Sequence, residues 1–482
     1  MKVRLSSGKE IPIEMHKVRI VQKTTLKPAE ERLKAMEEGG YNTFLLRTRD
    51  VFIDMLTDSG TNAMSDNQLA AMMVADDAYA GGESYYRLLD AVKDVFGKEL
   101  VLPVHQGRAA EHLLAKAFIK EGDRIPMNYH FTTTRAHFEM AGGRVDEIYR
   151  FDALQTESDN PFKGNMDLEK LQGIIDKYGA DHVPFVRMEA TTNLIGGQPF
   201  SMQNLRDVKQ KCKEYGIMLV LDASLISENA YFIKEREKLC EDMTVGEIVK
   251  AMMVESDLVY LSGRKSTAVR GGFICTNDRG LFEQIKPWLP LFEGFLTYGG
   301  MSSKEIEAMA VGMREMCEYE VAGSSPDLIK YFVEKMVEYG IPAVTPPGGL
   351  AGHVDAMKFL PHVPQLEYPA GALTAAIYLV SGARPMERGT ISVDRDPDTN
   401  EEIISDIELS RMAVPRRVYS MSHMEYVADR VKWLYEHRHL VKGLRFVEEP
   451  PVLRFFFGKL EPIDNWGAEL VAAFKADFGP NF

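Results

Sequence analysis

The sequence predicts an α/β protein built on a mostly parallel sheet, and three short apolar segments carry that prediction. Residues 217–221 and 258–261 are continuous apolar runs, and each is followed by a polar residue. Strands that are apolar on both faces are typical of the buried middle of a parallel sheet. A third run, 100–104, contains Pro103, which disfavours an interior strand because proline donates no ladder hydrogen bond.

Helical stretches between these runs indicate crossover connections. Between 203 and 215, apolar residues recur at helical spacing on a charged background, and Gly216 follows as a helix terminator. A longer helix is predicted from Ser303 to Tyr319. Strands that alternate with helices imply βαβ units, so the predicted sheet has helical crossovers.

Chain length and composition restrict the class of protein. For 482 residues we expect a large domain at 57–319, a smaller α+β domain built from 18–56 and 320–482, and an N-terminal arm at 1–17. The net charge of −14 disfavours nucleic acid as a partner, and no long apolar run predicts a membrane helix. Scattered cysteines and a polar N-terminal segment favour the cytoplasm.

An aspartate and a lysine follow the two central strands, where ligands of open α/β sheets bind. Asp222 could cap the next helix or pair with a pyridine nitrogen, which makes the ring an electron sink. Lys265 lies just past the run 258–261 and could form a Schiff base with an aldehyde cofactor. A single lysine at such a place is more often an exposed loop residue.

A third polar segment, Gln106-Gly107-Arg108, opens a predicted helix. Glycine lets the backbone approach a ligand closely, and the start of a helix offers N–H donors to a phosphate. An ordinary βα turn is the alternative interpretation. No single segment suffices, but the order of phosphate turn, strand-end aspartate and strand-end lysine is the layout of aminotransferase-like (fold type I) pyridoxal-phosphate enzymes.

Long segments of the chain resemble the β-eliminating lyases, the family of tyrosine phenol-lyases and tryptophanases. The resemblance extends from about Ile20 to Ile463. It is carried by LTDSGTNAMSD at 56–66, DDAYAG at 76–81, HQGRAAEHLL at 105–114, FTTTR at 131–135, GGQPFSM at 196–202, ENAYFIKE at 228–235, EGFLTYGG at 293–300 and PMERGTIS at 385–392. Shared segments of this length are highly specific for the family.

The resemblance implies a pyridoxal 5′-phosphate site. Lys265 is similar to the lysine that forms the Schiff base, and Asp222 is similar to the partner of the pyridine nitrogen. Phe131 is similar to the aromatic residue that stacks on the cofactor ring. The remaining cofactor contacts that it implies are Gln106, Gly107, Arg108, Asn193, Ser262 and Arg264.

The resemblance also implies a reaction, the β-elimination of L-tyrosine to phenol, pyruvate and ammonia. Lys265 would remove the α-proton, and Tyr79 resembles the general acid that protonates the leaving aromatic carbon. Arg411 resembles the arginine that binds the substrate carboxylate. The other implied substrate contacts are Thr57, Thr132, Phe295, Arg388 and Phe455.

Three positions favour the phenol-lyase branch of the family. Thr132, Arg388 and Phe455 match the phenol-lyases, whereas tryptophanases carry an aspartate, an apolar residue and a histidine there. A threonine hydroxyl and an arginine can bind a phenolic oxygen, and neither is needed for indole.

Three departures from the family pattern bear on the chemistry. Leu225 stands where both branches have an arginine, so a cation beside the cofactor's phenolic oxygen is lost and the imine should stay protonated to higher pH. Asp77 replaces a glutamate that, with a carbonyl near Gly60, helps the family bind a monovalent cation such as K⁺. Arg264 replaces a lysine on the phosphate side.

Alternatives to tyrosine elimination stay open. Leu225 leaves room for altered chemistry on the same fold, namely elimination or substitution on another β-substituted amino acid, or transamination. Intact Lys265, Asp222, Tyr79 and Arg411 disfavour a catalytically idle homologue. A dinucleotide enzyme is disfavoured because no G-x-G-x-x-G follows a strand. The resemblance further implies a homotetramer in which Tyr79 reaches a neighbouring subunit's site.

Overall fold

The computed structural model describes residues 1–396 and 399–481, which form two compact units. The large unit contains Met1, Ser59–Ala153 and Asn160–Pro326. The small unit contains Lys2–Asp58, Leu154–Asp159 and the chain from Asp327 onward. Among the described residues, no helix is long and apolar enough to cross a bilayer.

The large unit is organised around a seven-stranded sheet. Six strands run in one direction, and Gly272–Thr276 runs against its two neighbours. The spatial order is Leu100–Val104, Gly272–Thr276, Leu258–Ser262, Met218–Asp222, Phe185–Glu189, Arg124–Met127 and Arg144–Glu147. The sheet is therefore mostly parallel, which confirms the predicted fold class.

Burial explains where each predicted strand lies in this sheet. Every residue of Leu258–Ser262 is buried, and Met218–Asp222 is buried after its first residue. Both are interior strands, as their continuous apolar runs predict. Pro103 belongs to Leu100–Val104, which lies at the edge of the sheet and pairs on one side only, so its missing N–H donor is tolerated.

Helices connect most of these strands. The helix predicted at 203–215 is Met202–Tyr215, and it ends where Gly216 takes a φ of 68°. The helix predicted at 303–319 is shorter, Ser303–Glu315, because the chain is extended at Glu318 before a further turn, Tyr319–Ala322. The other helices are Asp66–Met72, Glu83–Phe96, Gly107–Phe118, Thr132–Met140, Leu168–Tyr178, Ile226–Arg236, Val245–Val254, Gly263–Ser266, Arg279–Ile285 and Leu289–Phe292.

The small unit combines short antiparallel sheets with helices. Its three-stranded sheet has Leu409–Ala413 between Ala351–Asp355 and Met386–Arg388. The two-stranded pairs are Ile53–Asp54 with Ala383–Arg384, Leu444–Glu448 with Lys459–Pro462, and Lys2–Arg4 with Glu10–Pro12. The helices are Ala29–Glu38, Ser324–Glu338, Ala356–Phe359, Pro369–Ser381, Met421–Glu436, Arg454–Phe457 and Trp466–Phe478. Pro369–Ser381 is buried along its whole length, which places it in the core of this unit.

The compact units and the predicted domains differ at their edges. The segment 154–159, predicted in the large domain at 57–319, is grouped with the small unit, and 320–326 is grouped with the large one. The segment predicted as an N-terminal arm contains a short hairpin. The domain boundaries themselves stay a prediction.

Candidate active site

Polar residues on three adjacent strands form one row at the carboxyl ends of the large sheet. The strand register pairs Glu189 with Asp222 and Asp222 with Tyr260. Arg187, two residues before Glu189, projects from the same face, since side chains alternate along a strand. All four side chains are buried. The backbone N–H of Asn193 donates to Glu189 Oε1 at 3.4 Å, so this predicted cofactor contact lies beside the row.

Both oxygens of Asp222 accept hydrogen bonds. Oδ2 accepts from Arg187 Nη2 at 2.5 Å and from the Tyr260 hydroxyl at 2.9 Å, and Oδ1 accepts from the Ser224 N–H at 3.0 Å. Burial disfavours the charge on Arg187, but Tyr260 and Asp222 outweigh it and raise the pKa of Arg187. Asp222 is thus held as a buried, hydrogen-bonded carboxylate.

Lys265 lies in the short helix Gly263–Ser266, directly after the strand Leu258–Ser262. Its side chain is buried, and its backbone carbonyl accepts from Asn62 Nδ2 at 2.8 Å. Burial raises the pKa of Glu189, and the charge of Lys265 is one of the influences that oppose this rise. The structure therefore brings the predicted Schiff-base lysine to the row that contains Asp222.

The turn before the helix Gly107–Phe118 makes a close approach to the end of another strand. A Cβ atom at Gly107 would lie 2.8 Å from the Cβ of Ser262, so the turn needs a glycine here. Gln106 precedes the helix, and its side chain makes no capping hydrogen bond. The first N–H groups of the helix are therefore available to a ligand. The predicted turn and the predicted Ser262 are therefore neighbours.

Arg108 of this turn acts electrostatically on Arg264, as does Arg270. Burial lowers the pKa of Arg264, and the charges of Arg270 and Arg108 lower it further. Cations that repel one another near the start of a helix are suited to an anion such as phosphate. Arg108 and Arg264 are predicted from the sequence, and Arg270 is an addition from the structure.

Phe131 precedes the helix Thr132–Met140 and is half-buried. The start of this helix is held by Glu111, which accepts hydrogen bonds from Thr134 Oγ1 at 2.5 Å and Thr133 Oγ1 at 2.8 Å. Burial raises the pKa of the Glu111 carboxyl to about 7. The helix that follows Phe131 is thus held at its start by hydrogen bonds to the buried carboxyl group of Glu111.

Tyr79, the predicted general acid, belongs to an aromatic group on the large unit. Its ring stacks on Phe295 with 5.5 Å between centroids and contacts Tyr298 at 5.7 Å. Tyr79 is 73% exposed. Two predicted site residues, Tyr79 and Phe295, are therefore brought together, with the tyrosine open to the surface of the single chain.

The two residues predicted to bind a monovalent cation have different surroundings. The Gly60 N–H donates to the Arg264 carbonyl at 2.9 Å, and a Cβ at Gly60 would lie 2.5 Å from the Arg264 guanidinium. Asp77 is exposed, whereas hydrogen bonds from Ser84 lower the pKa of Asp76 to about 2. The part of the chain that the structure describes holds no group of three or more His, Cys, Asp or Glu suited to a metal ion. The cation site stays a prediction.

In the small unit, two predicted substrate-binding arginines lie on neighbouring strands. The ladder pairs Arg388 with Leu409 and Arg411 with Met386, and both arginines are buried. Arg411 Nη2 donates to the Leu56 carbonyl, next to Thr57, at 2.9 Å.

The electrostatics of Arg411 are those of a cation that can receive an anion. Burial lowers its pKa to about 10; Asp58 opposes this effect and Arg388 adds to it. Two buried cations thus lie near one carboxylate, Asp58, and the carboxylate role of Arg411 stays a prediction.

Phe455 is positioned by a buried arginine that sequence analysis missed. Arg454 donates to Glu449 Oε1 at 2.5 Å and to the Thr390 carbonyl at 2.7 Å. This contact joins the segment of Phe455 to the one that follows Arg388. Phe455 also packs edge to face on Phe44, with 5.4 Å between centroids.

Solved structures share the fold of this chain. An aspartate aminotransferase from Thermotoga maritima matches with a TM-score of 0.57 at 12% identity, covering 84% of this chain and 96% of its own. An aromatic aminotransferase from Pyrococcus horikoshii OT3 matches with a TM-score of 0.56 at 12% identity, covering 85% and 99%. The chain therefore has the aminotransferase-like fold.

Sequence relatives are much closer. A tyrosine phenol-lyase of Symbiobacterium sp. (strain SC-1) is 46% identical over 93% of this chain and 98% of its own length. A tyrosine phenol-lyase of Pasteurella multocida (strain Pm70) is 45% identical over 94% and 99%. The family model described as beta-eliminating lyase matches residues 54–430. The chain belongs to the beta-eliminating lyases.

Proposed function

We propose that the chain is a pyridoxal-phosphate-dependent carbon–carbon lyase that converts L-tyrosine and water to phenol, pyruvate and ammonia. The observation that carries this proposal is the 45–46% identity, over nearly the full length, to proteins named tyrosine phenol-lyase. Thr132, Arg388 and Phe455, the three positions that match the phenol-lyase branch, support a phenolic substrate.

Pyridoxal phosphate is the cofactor of this family, and groups of the large unit fit it. The glycine turn and its arginines suit the phosphate, and Asp222 keeps about one of its roughly four acceptor positions for a ring nitrogen. The cofactor supplies an electron sink for negative charge at the substrate α-carbon. The residues proposed to hold it are Gln106, Gly107, Arg108, Phe131, Asn193, Asp222, Ser262, Arg264 and Lys265.

The chain's own residues bind the substrate and move two protons in the proposed reaction. Arg411 binds the α-carboxylate, and Lys265 Nζ takes the α-proton. The Tyr79 hydroxyl donates a proton to the ring carbon that is bonded to the β-carbon, which makes phenol the leaving group. The other proposed substrate contacts are Thr57, Thr132, Phe295, Arg388 and Phe455.

Two further parts of the proposal concern assembly and compartment. The 73% exposure of Tyr79 supports a homotetramer in which this residue acts at a neighbouring subunit's site. No disulfide joins the four cysteines, all of which lie in the described residues, and this supports a reducing cytoplasm. Light scattering of the purified protein measures the assembly directly.

The test is a product assay without any keto-acid acceptor. The purified protein, loaded with pyridoxal phosphate, is given L-tyrosine, and phenol and pyruvate are measured together with ammonia. We expect the three products in equal amounts, and none from a Lys265→Ala variant. Phenol without pyruvate, or no turnover of tyrosine, would contradict the proposal.

Leu225 motivates a parallel assay for the alternative chemistry. The residue is buried where the family pattern has a cation, so the same protein is tested on a panel of β-substituted amino acids and with keto acids. Activity that depends on an added keto acid would favour transamination. Faster pyruvate release from another amino acid would change the assigned substrate.

A further inference from the structure

The Arg187 cluster, which consists of Arg187, Glu189, Asp222 and Tyr260, contains a fully buried cation that no family motif predicts. Arg187 has 0% exposure. Besides its 2.5 Å contact with Asp222, its Nε donates to the Tyr260 hydroxyl at 2.8 Å and its Nη1 donates to the Tyr129 carbonyl at 3.3 Å. The same Nη1 lies 3.5 Å from Glu189 Oε2. The guanidinium thus bridges two carboxyl groups.

Charge balance in this cluster changes when a protonated pyridine ring binds to Asp222. In the protein alone, Arg187 and the Asp222 carboxylate neutralise each other. A pyridinium nitrogen next to Asp222 adds a second positive charge to a buried site, where a net charge is costly. An ionised Glu189 on the other side of Arg187 restores neutrality, so the four charges alternate in sign along the row.

We infer that Glu189, acting through Arg187 and Asp222, is a positioning residue that determines whether the cofactor's ring nitrogen carries a proton. The inference rests on the proposed function and deepens it, because a protonated ring is the stronger electron sink. It assigns roles to Arg187 and Glu189 that lie outside the predicted site.

The surroundings of Glu189 agree with this role. Burial raises the pKa of its carboxyl, so its ionised form depends on positive charge nearby. Besides Arg187, the groups facing it are Asp222 on the adjacent strand and Lys265 after the next one. Glu111 and Tyr260 face Arg187 and Asp222 from the other sides. Lys265 Nζ carries a positive charge both as a free ammonium and as a protonated imine, so the proton on the ring nitrogen is the charge that cofactor binding adds near Glu189.

The test is the protonation state of the ring nitrogen in the holoenzyme, measured by ¹⁵N NMR with ring-labelled pyridoxal phosphate. We expect the wild-type resonance near that of a pyridinium. Glu189→Gln keeps the shape and removes the charge, so its resonance should move toward that of an unprotonated pyridine. Cofactor binding, measured by fluorescence titration, should weaken about tenfold. An unchanged resonance in Glu189→Gln would overturn the inference.

Two further variants separate this role from a structural one: a matched control, and a double variant that should restore the protonated ring. Glu307→Gln removes another buried carboxylate of the large unit, one that accepts from Arg87 Nε at 2.5 Å, and should leave the resonance unmoved. The double variant Glu189→Gln/Arg187→Met removes both added charges and should return the resonance to the pyridinium value. If the double variant does not fold, the comparison of the two glutamine variants decides.

The inference and the proposed function fail in different ways. Wild-type protein that binds no pyridoxal phosphate, or releases no phenol from tyrosine, contradicts the proposed function. Wild-type protein that performs the elimination while Glu189→Gln keeps a protonated ring contradicts only the inference.

Discussion

Both units bury arginines next to a predicted site, but the charges around them differ. In the large unit, carboxylate and phenol neighbours outweigh burial and raise the pKa of Arg187. In the small unit, burial lowers the pKa of Arg411 to about 10, with Arg388 acting in the same direction. The neighbours of Arg187 stabilise its charge, so we call Arg187 the matched cation. At Arg411 burial prevails over the neighbours, so we call Arg411 the weakly stabilised cation. An arginine that stabilises a fold and one that receives a ligand can thus be told apart by their electrostatic surroundings.

The largest expected effect is loss of stability on replacing the matched cation. Arg187→Met leaves Asp222 as a buried charge without its arginine, which costs about 3–5 kcal/mol. The loss should be smaller in the holoenzyme, because the ring nitrogen then faces Asp222. Urea unfolding of the apo and holo forms measures both values. If the apo form of the variant were as stable as the apo wild type, the charge of Arg187 would not stabilise the fold.

Replacing the weakly stabilised cation should affect activity instead. Arg411→Met removes the proposed partner of the substrate carboxylate, so kcat/KM for L-tyrosine should fall by a factor of about 100 or more, equivalent to about 3 kcal/mol. The free energy of unfolding should change by less than it does for Arg187→Met, since a buried charge is removed together with its desolvation cost. Steady-state kinetics and urea unfolding are compared on the same preparations.

A third prediction uses Glu111, a buried carboxyl of the large unit whose hydrogen-bond donors include two threonine hydroxyls. Glu111 has a pKa raised to about 7 by burial, so the folded state holds its proton after the unfolded state has lost it. Its contribution to stability is therefore greatest at low pH and falls as pH rises from about 4.5 to 7. Glu111→Gln keeps an acceptor for Thr133 and Thr134 and should flatten that fall, by up to about 3 kcal/mol. Unfolding measured from pH 5 to 8 tests it.

The sequence predicts the frame of the large unit and much of the proposed cofactor site. Strands such as Leu258–Ser262 can be predicted because burial on both faces requires a continuous apolar run. The turn at Gly107 can be predicted because its close approach requires a glycine. The Arg187 cluster cannot be predicted from the sequence pattern in this way. Arg187 and Glu189 alternate in FVRME, but only the register of three strands shows that they lie beside Asp222.

The small unit is harder to predict for the same physical reason. The partners of Arg454 include Glu449, five residues before it, and two groups much further back in the chain, Glu402 and the Thr390 carbonyl. Long-range contacts of this kind leave no periodic signal. The resemblance to a family identified Arg388 and Arg411, but the ladder that makes them neighbours appears only in the fold.

The smallest expected effect comes from adding a cation close to the strand of Glu189. Leu225 is 3% exposed, and its N–H donates to the Ala190 carbonyl at 2.8 Å, directly after the strand of Glu189. Leu225→Arg restores the arginine of the family pattern and stabilises negative charge on the cofactor's phenolic oxygen. The imine of the variant should therefore lose its proton at lower pH than that of the wild type. Leu225→Met is the matched control, because it keeps an apolar side chain of similar volume. A spectrophotometric pH titration of the three holoenzymes measures the midpoint. A wild-type midpoint at or below that of Leu225→Arg would show that other groups, with the Arg187 cluster the nearest candidate, already provide what the family arginine provides elsewhere.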